Sequence, residues 1–555
     1  MNKKVCSFPI LFALLALLIG TCAVVFPASA QATPTSTGSI TVSGTVASSY
    51  DGYQIFSANV VDGDSDAKIA TDLAWASDAV RDAALPVLHG AGMPNSQTTA
   101  QEAAEWLNTD SHLTSALSAQ LARSLQSSGA VFVALNAGTT AELPCGYWLI
   151  VADDDAIAQG EAGTAPIMAL VGGSAVTVKP KAATPKVSKH VLEDSTAAWQ
   201  KAADATVADD LYWRLSATVP AGLTAYDTYT VQFVDTMSAG LDPSKVAASM
   251  RVYVAAGADG VFDAVQADKD GRAGTEPAKG WTDITAQCAT KVAADGTFTV
   301  RTGDLIAALG GADAFTAGTR VVVVYNAPLN SACSHGIAKG NPNEVYLRYP
   351  RSPFADQSGD AGFTRTPSDD ACVYTWDLAL TKRGSDGDKP LAGAVLSIAD
   401  DRGRTLAADG AWDAEGKATV TTGEDGRVTV SGVDSGKLEV RELKAPKGYT
   451  AFEGTRSVTV KAEGLDVDQV AAAKPKLTIT AESPLRADSA DGSTGSLEAS
   501  IINTPTDTPP SITTGGFMPL TGDMAMYAVA AAAVAGAALI VVALLIKRGG
   551  GSHKE

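Results

Sequence analysis

Trp376-Asp-Leu378-Ala-Leu380-Thr-Lys382 alternates large apolar residues with small or polar ones and ends with a lysine on the apolar side. Strand side chains point to opposite faces with period two, so Trp376, Leu378, Leu380 and Lys382 share a face and the amine enters the core with them. Leu438-Glu-Val440-Arg-Glu442 carries a glutamate inward in the same way, and Leu497-Glu-Ala499-Ser-Ile501-Ile-Asn503 an asparagine. An earlier stretch repeats the order: Lys189 in Val187-Ser-Lys189-His-Val191, Asp235 in Val231-Gln-Phe233-Val-Asp235, and Asn343 in Asn343-Glu-Val345-Tyr-Leu347-Arg-Tyr349. Lysine comes first, the acid in the middle and asparagine last, twice.

Around these stretches, residues 186–350 and 370–503 read as two β-sandwiches. Short alternating runs such as Tyr212–Val219, Tyr229–Asp235 and Val321–Tyr325 are separated by turn residues. Residues 31–181 read as α+β: strands at Ser39–Val42 and Tyr53–Phe56 come first, and strands at Tyr147–Val151, Ala165–Met168 and Ala175–Val178 close the unit. Between them Thr99-Ala-Gln-Glu102 forms a capping box ahead of Leu113, Leu117, Leu121 and Leu125, an apolar stripe that predicts a helix packed on a sheet. The expected fold class is mainly β, tandem sandwiches in a rod behind an α+β N-terminal domain.

Both ends carry export signals. Residues 1–30 combine Lys3 and Lys4, an apolar core from Ile10 to Phe26 and Ala28-Ser29-Ala30, the pattern of a secretory signal peptide. At the other end, a Thr/Pro linker (504–517) leads to Met518-Pro519-Leu520-Thr521-Gly522 and then to an apolar run over 524–546, long enough to cross a bilayer as a helix. Lys547 and Arg548 open the tail 547–555 and favour a cytoplasmic end.

The net charge of −19 argues against nucleic acid as a partner. Of six cysteines, Cys145, Cys288, Cys333 and Cys372 remain after the signal peptide, in a compartment where disulfides persist. Three pairings are open. No CxxC spacing and five scattered histidines leave no metal site or His-based catalytic centre to expect, and no cofactor. Acidic turns at Asp259 and at Asp268-Lys-Asp-Gly271 lack the further ligands of a calcium loop. A hydrolase finds no support either, since no G-x-S-x-G elbow is present.

A buried, unpaired amine or carboxylate costs several kcal/mol, so these groups need each other. Desolvation lowers the lysine pKa and raises that of the acid. A neutral amine is a nucleophile, and a neutral acid polarises an amide by donating to its oxygen. Lysine Nζ placed near asparagine Cγ can then expel ammonia and leave an isopeptide bond.

These motifs resemble those of Gram-positive sortase-assembled shaft pilins. Met518–Gly522 resembles the LPxTG sorting signal, with Met518 in the Leu position, which implies cleavage between Thr521 and Gly522 by a sortase. Val176-Thr-Val-Lys179-Pro-Lys181 resembles the pilin motif, with Lys179 where Tyr is usual, and implies Lys181 as the acyl acceptor; Lys179 and Lys186 are its rivals. Val234–Leu241 and Gly340–Tyr349 resemble the fimbrial isopeptide-forming domain, which implies Lys189 as amine, Asp235 as catalytic acid and Asn343 as amide, with Asn341 a second candidate. Leu391–Ala394, the E-box Leu438–Tyr449 and Ile502-Asn-Thr504 resemble a collagen-adhesin B-type, Ig-like sandwich, which gives Lys382, Glu442 and Asn503 the same roles. The implied protein is a secreted pilus backbone subunit, a fimbrial protein of the cell wall and surface with a transient membrane anchor. Its implied partners are a pilin-class sortase, a housekeeping sortase with peptidoglycan, further copies of itself and minor or tip pilins. The alternative is a wall-anchored adhesin or minor pilin that does not polymerise. Lys68 is the sole lysine between the signal peptide and Lys179, so no isopeptide is expected in the first domain.

Overall fold

The structure, a computed structural model, describes residues 36–506 apart from 45, 65–66, 110, 181–183, 208, 222, 257–279 and 317. In the first unit Ser49–Asp62 runs between Lys68–Trp75 and Gly146–Ala152, with Ile167–Val171 beyond and Val133–Asn136 attached to its start. A second, smaller sheet joins Thr37–Val42 antiparallel to Thr140–Pro144 and parallel to Val176–Val178. Helices Asp78–Gly90, Ala100–Leu107 and Ser115–Ser128 pack on the larger sheet, where Leu88, Leu117, Leu121 and Leu125 meet Ile55, Phe56, Leu149 and Val151.

The leucine stripe packs on a sheet as its period predicts, but the capping box does not start its helix. Thr99 and Glu102 cap each other at the head of Ala100–Leu107, which stops at Asn108. The stripe has its own helix, with Thr114 as N-cap and Gly129, at φ 70°, as a left-handed C-cap. Polar residues between the two favour turns over a continuous helix.

Two sheets enclose the middle core. One runs in the order Ala198–Gln200, Lys186–Glu193, Tyr212–Thr218, Arg320–Asn326, Arg251–Ala255, Thr282–Asp283. The other centres on Asn341–Pro350, which lies between Asp369–Tyr374 and Gln232–Met237. Trp213, Leu215, Phe233, Phe298, Val323, Tyr325 and Leu347 fill the space between them.

Asp369–Tyr374 is buried on both sides: Ala371 and Val373 enter the middle core, while Cys372 and Tyr374 enter the last. Period two divides one strand between two cores. The middle sheet therefore runs past the expected boundary at 350, and the last pair of sheets begins with Trp376–Gly384. There the first and last strands, Trp376–Gly384 and Ser496–Pro505, lie parallel and adjacent, with Lys382 opposite Ile501 and Gly384 opposite Asn503. The facing sheet holds Val395–Ala399, Gly436–Lys444, Thr455–Glu463 and Lys476–Ala481.

Carboxylates crowd the junction of the middle and last cores. Asp204, 2% exposed, accepts from Trp376 Nε1 and from the amide and hydroxyl of Ser435, each at 2.7 Å. Asp209 is held by Arg402 at 2.9 Å and by Arg404. Two arginines do not balance the acids, and Asp434 is held well above the usual carboxylate range by burial and then by Asp204, Asp194, Glu193 and Asp209. Its folded form keeps a proton that the unfolded chain releases. That stability is present below the ordinary Asp range and is lost progressively as pH rises from about 4 toward the raised folded value. Asp434→Asn should raise Tm by roughly 2–4 °C at about pH 7.5 and by far less at about pH 4, measured by calorimetry at both.

Candidate functional site

Strand parity delivers Lys189 to the middle core with 0% exposure. Its amine contacts Asp235 and lies 2.9 Å from the Tyr325 hydroxyl, over the faces of Trp213 at 5.3 Å and Tyr325 at 5.4 Å. Tyr325 donates to Asp235 Oδ2 at 3.1 Å, and Asn343 Nδ2 donates to the Tyr325 hydroxyl at 2.9 Å. Lys189 and Tyr325 come from one sheet; Asp235 and Asn343 come from neighbouring strands of the facing sheet, where Asn343 pairs with Met237. Burial pulls the Lys189 amine down to about 8 against the pull of Asp235, and burial pushes the Asp235 carboxyl up against the pull of Lys189. The two displacements bring the pair toward neutral amine and neutral acid. Asp235 Oδ1 and Asn343 Oδ1 are buried without a hydrogen-bond partner.

The last core gathers its three residues differently. Lys382 Nζ contacts Asn503 Oδ1 and lies 3.3 Å from Glu442 Oε1, while Asn503 Nδ2 donates to that same Oε1 at 2.8 Å. The backbone amide of Phe452 donates to Glu442 Oε2 at 3.1 Å. Here lysine and asparagine sit on adjacent parallel strands of one sheet, and the acid reaches across from the other. Burial lowers the Lys382 amine to about 8, with Glu442 opposing.

Asn341, the second candidate in the middle core, is fully engaged elsewhere. Its Oδ1 accepts from Ser334 N at 2.8 Å, and its Nδ2 donates to Ser334 O at 2.8 Å and Val373 O at 3.2 Å. It holds the turn before its strand. Lys68 donates to the carbonyls of Gly172 and Ser174, so it fastens a turn in the first unit.

In the pilin-like motif, Val178 is buried while Thr177 and Lys179 are exposed, and Ser43 N ties Val178 O at 2.8 Å. Lys186, also exposed, opens the first strand of the middle core. Lys181 lies outside the described residues, as do Met518, Pro519, Leu520, Thr521 and Gly522, the apolar run 524–546 and the acidic turns near 259 and 268. Among the described residues no helix is long and apolar enough to cross a membrane, and no three His, Cys, Asp or Glu side chains assemble for a metal. Cys145, Cys288, Cys333 and Cys372 are all free thiols, so none of the three pairings is made.

Three partners escaped the sequence reading. Tyr325 ends a valine run that read only as a strand, although a buried tyrosine hydroxyl requires a partner and its parity matched Val321 and Val323. The Phe452 amide carries no side-chain signal. Lys201 donates to Lys189 O at 2.8 Å and pairs with the half-buried Asp369, which itself accepts from Lys189 N at 2.7 Å, so a second ion pair pins the Lys189 backbone.

Residues 377–474 match the SpaA family, a prealbumin-like fold domain. The trypsin-resistant surface T6 protein of Streptococcus pyogenes serotype M6 is 30% identical over 145 residues, 25% of this chain and 25% of that protein. The chain thus spans about a quarter of the length of the curated relative it matches. Among solved structures, the T6 backbone pilin of serotype M6 S. pyogenes matches at TM-score 0.46 and 17% identity over 84% of this chain and 98% of that one. The full-length major pilin SpaD of Corynebacterium diphtheriae matches at TM-score 0.40 and 16% identity over 85% and 98%. The chain carries a SpaA-type prealbumin-like domain and is similar to Gram-positive backbone pilins.

Proposed function

We propose that this chain is the backbone subunit of a covalently polymerised surface pilus, built of tandem Ig-like sandwiches and closed by two self-made isopeptide bonds. The observation that carries this reading is the pair of buried clusters, Lys189 with Asp235 and Asn343, and Lys382 with Glu442 and Asn503. Lysine Nζ attacks asparagine Cγ, the acid polarises the carbonyl and takes part in proton transfer, and ammonia leaves. Each bond forms once, so the chain is a substrate and not an enzyme. A pilin-class sortase would join Thr521 of one copy to Lys181 of the next, with the exposed Lys179 beside it as rival; the membrane span holds the subunit until then.

The position of the bonds gives the shaft its strength. Tension that enters at Trp376 crosses from Lys382 to Asn503 and leaves near Thr506, so residues 383–502 are spared. In the middle core a bond from Lys189 to Asn343 spares 190–342 and staples one sheet to the other. Without them the load would fall on ladder hydrogen bonds worth about 1 kcal/mol each.

Intact mass of the purified protein should fall short of the sequence mass by two ammonias, about 34 Da. Asn343→Ala and Asn503→Ala should each abolish one of the two losses, while Asn341→Ala should leave both; a full unreacted mass for the wild type would refute the cross-links. Lys181→Ala, expressed with the sortase, should remove the high-mass ladder on a denaturing gel. A ladder that persists in Lys181→Ala and disappears in Lys179→Ala would move the acceptor by two positions.

A further inference from the structure

The two clusters route the same proton differently. In the last core Glu442 Oε1 touches both reacting nitrogens, Lys382 Nζ at 3.3 Å and Asn503 Nδ2 at 2.8 Å. One carboxylate oxygen can collect a proton from the attacking amine and pass it to the departing one. In the middle core the acid is Asp235, one methylene shorter. It meets Lys189, but the group within 2.9 Å of both Lys189 Nζ and Asn343 Nδ2 is the Tyr325 hydroxyl.

We propose that Tyr325 is a catalytic residue of the middle-core condensation, the proton shuttle between the attacking and the leaving nitrogen. This rests on the isopeptide reading above. In the resting amide Asn343 Nδ2 is only a donor, and the Tyr325 hydroxyl hydrogen points to Asp235 Oδ2 at 3.1 Å. Attack by Lys189 makes Cγ tetrahedral and gives Nδ2 a lone pair. The hydroxyl then turns to donate to Nδ2 while its oxygen takes a proton from Lys189 Nζ. The Cγ–Nδ2 bond breaks, ammonia leaves, and tyrosine is restored. A lysine amine and a carboxamide have become a secondary amide and ammonia, with no external proton or oxidant.

The surroundings suit that task. Burial, and next the Asp235 charge, hold the Tyr325 hydroxyl well above its ordinary range, so it stays protonated, both donor and acceptor. The ring is fixed edge-on against Phe298 at 4.7 Å, which leaves the hydroxyl rotor as the moving part. Asp235 is then left to polarise the carbonyl: within this cluster its Oδ1 and the amide Oδ1 are buried acceptors without partners, and a proton carried by the acid would supply the missing donor.

The test is Tyr325→Phe in the full chain, which removes one oxygen and keeps the ring. Peptide mapping by mass should show the Lys189–Asn343 linked peptide forming at least about 100-fold more slowly, the range of general acid–base catalysis, while the Lys382–Asn503 peptide reaches its wild-type amount and reports a folded protein. Phe298→Leu, which loosens the packing on the same ring but retains the hydroxyl, should keep the first link. Wild-type speed in Tyr325→Phe, or equal loss in Phe298→Leu, would overturn the shuttle. Absence of the Lys189–Asn343 peptide from the wild type would instead overturn the isopeptide reading beneath it.

Discussion

A lysine amine with 0% exposure, as at Lys189 and at Lys382, is the constraint to which both later cores are fitted. Left charged and alone it would cost several kcal/mol, so an acid must face it and both groups must be hydrogen-bonded. Those partners fix strand register. Asn343 faces inward because it lies opposite Met237, and Asp235 because it lies opposite Val345. A slip of one residue would exchange Asn343 for Glu344 and turn every side chain of that strand to the other face. The polar cluster therefore specifies the sandwich as much as the surrounding valines do.

The same three residue types serve two geometries. In the middle core the amine and amide stand on facing sheets; in the last they stand on neighbouring parallel strands. The acid's place follows, beside the asparagine in the first case and across the sandwich in the second. Glutamate reaches both nitrogens from the opposite sheet, whereas in the middle core the hydroxyl of Tyr325, on the strand Arg320–Asn326, lies within 2.9 Å of both.

What could be read in the sequence was what period two makes local. Lys189, Asp235, Asn343, Lys382, Glu442 and Asn503 each declare their face by their neighbours at two-residue spacing, and each is buried. The Leu117–Leu125 stripe did so at helical spacing. Contacts between distant strands left no such trace. Tyr325 shares the face of Val321 and Val323, but which acid and amide its hydroxyl meets depends on how two sheets stack. The strand Asp369–Tyr374 fell at the start of the unit read as 370–503, and its pairing with the middle sheet left no trace because its alternate residues serve different cores, so neither core's pattern is complete within it. Asp209 with Arg402 and Arg404 joins residues nearly two hundred positions apart, and no spacing rule reaches that far.

In the proposed cross-linked chain, tension leaves the middle core at Asn343 and enters the last bridge at Lys382, so the stretch between them must hold without covalent help. That stretch includes Asp369–Tyr374, buried on both sides, and Trp376, whose indole nitrogen is fastened to Asp204. Arg402 and Arg404 on Asp209 clamp the same junction from the last unit. Non-covalent contacts are thus gathered where the bridges stop. In the first unit no bridge is proposed: Lys68 lies opposite Asp62 and is spent on the carbonyls of Gly172 and Ser174, and the tie to the middle unit is Arg123 on Asp227 and on the carbonyls of Ala225 and Pro353. Under load the order of yielding follows from this distribution, with the helix-covered N-terminal sheet giving way before either bridged core.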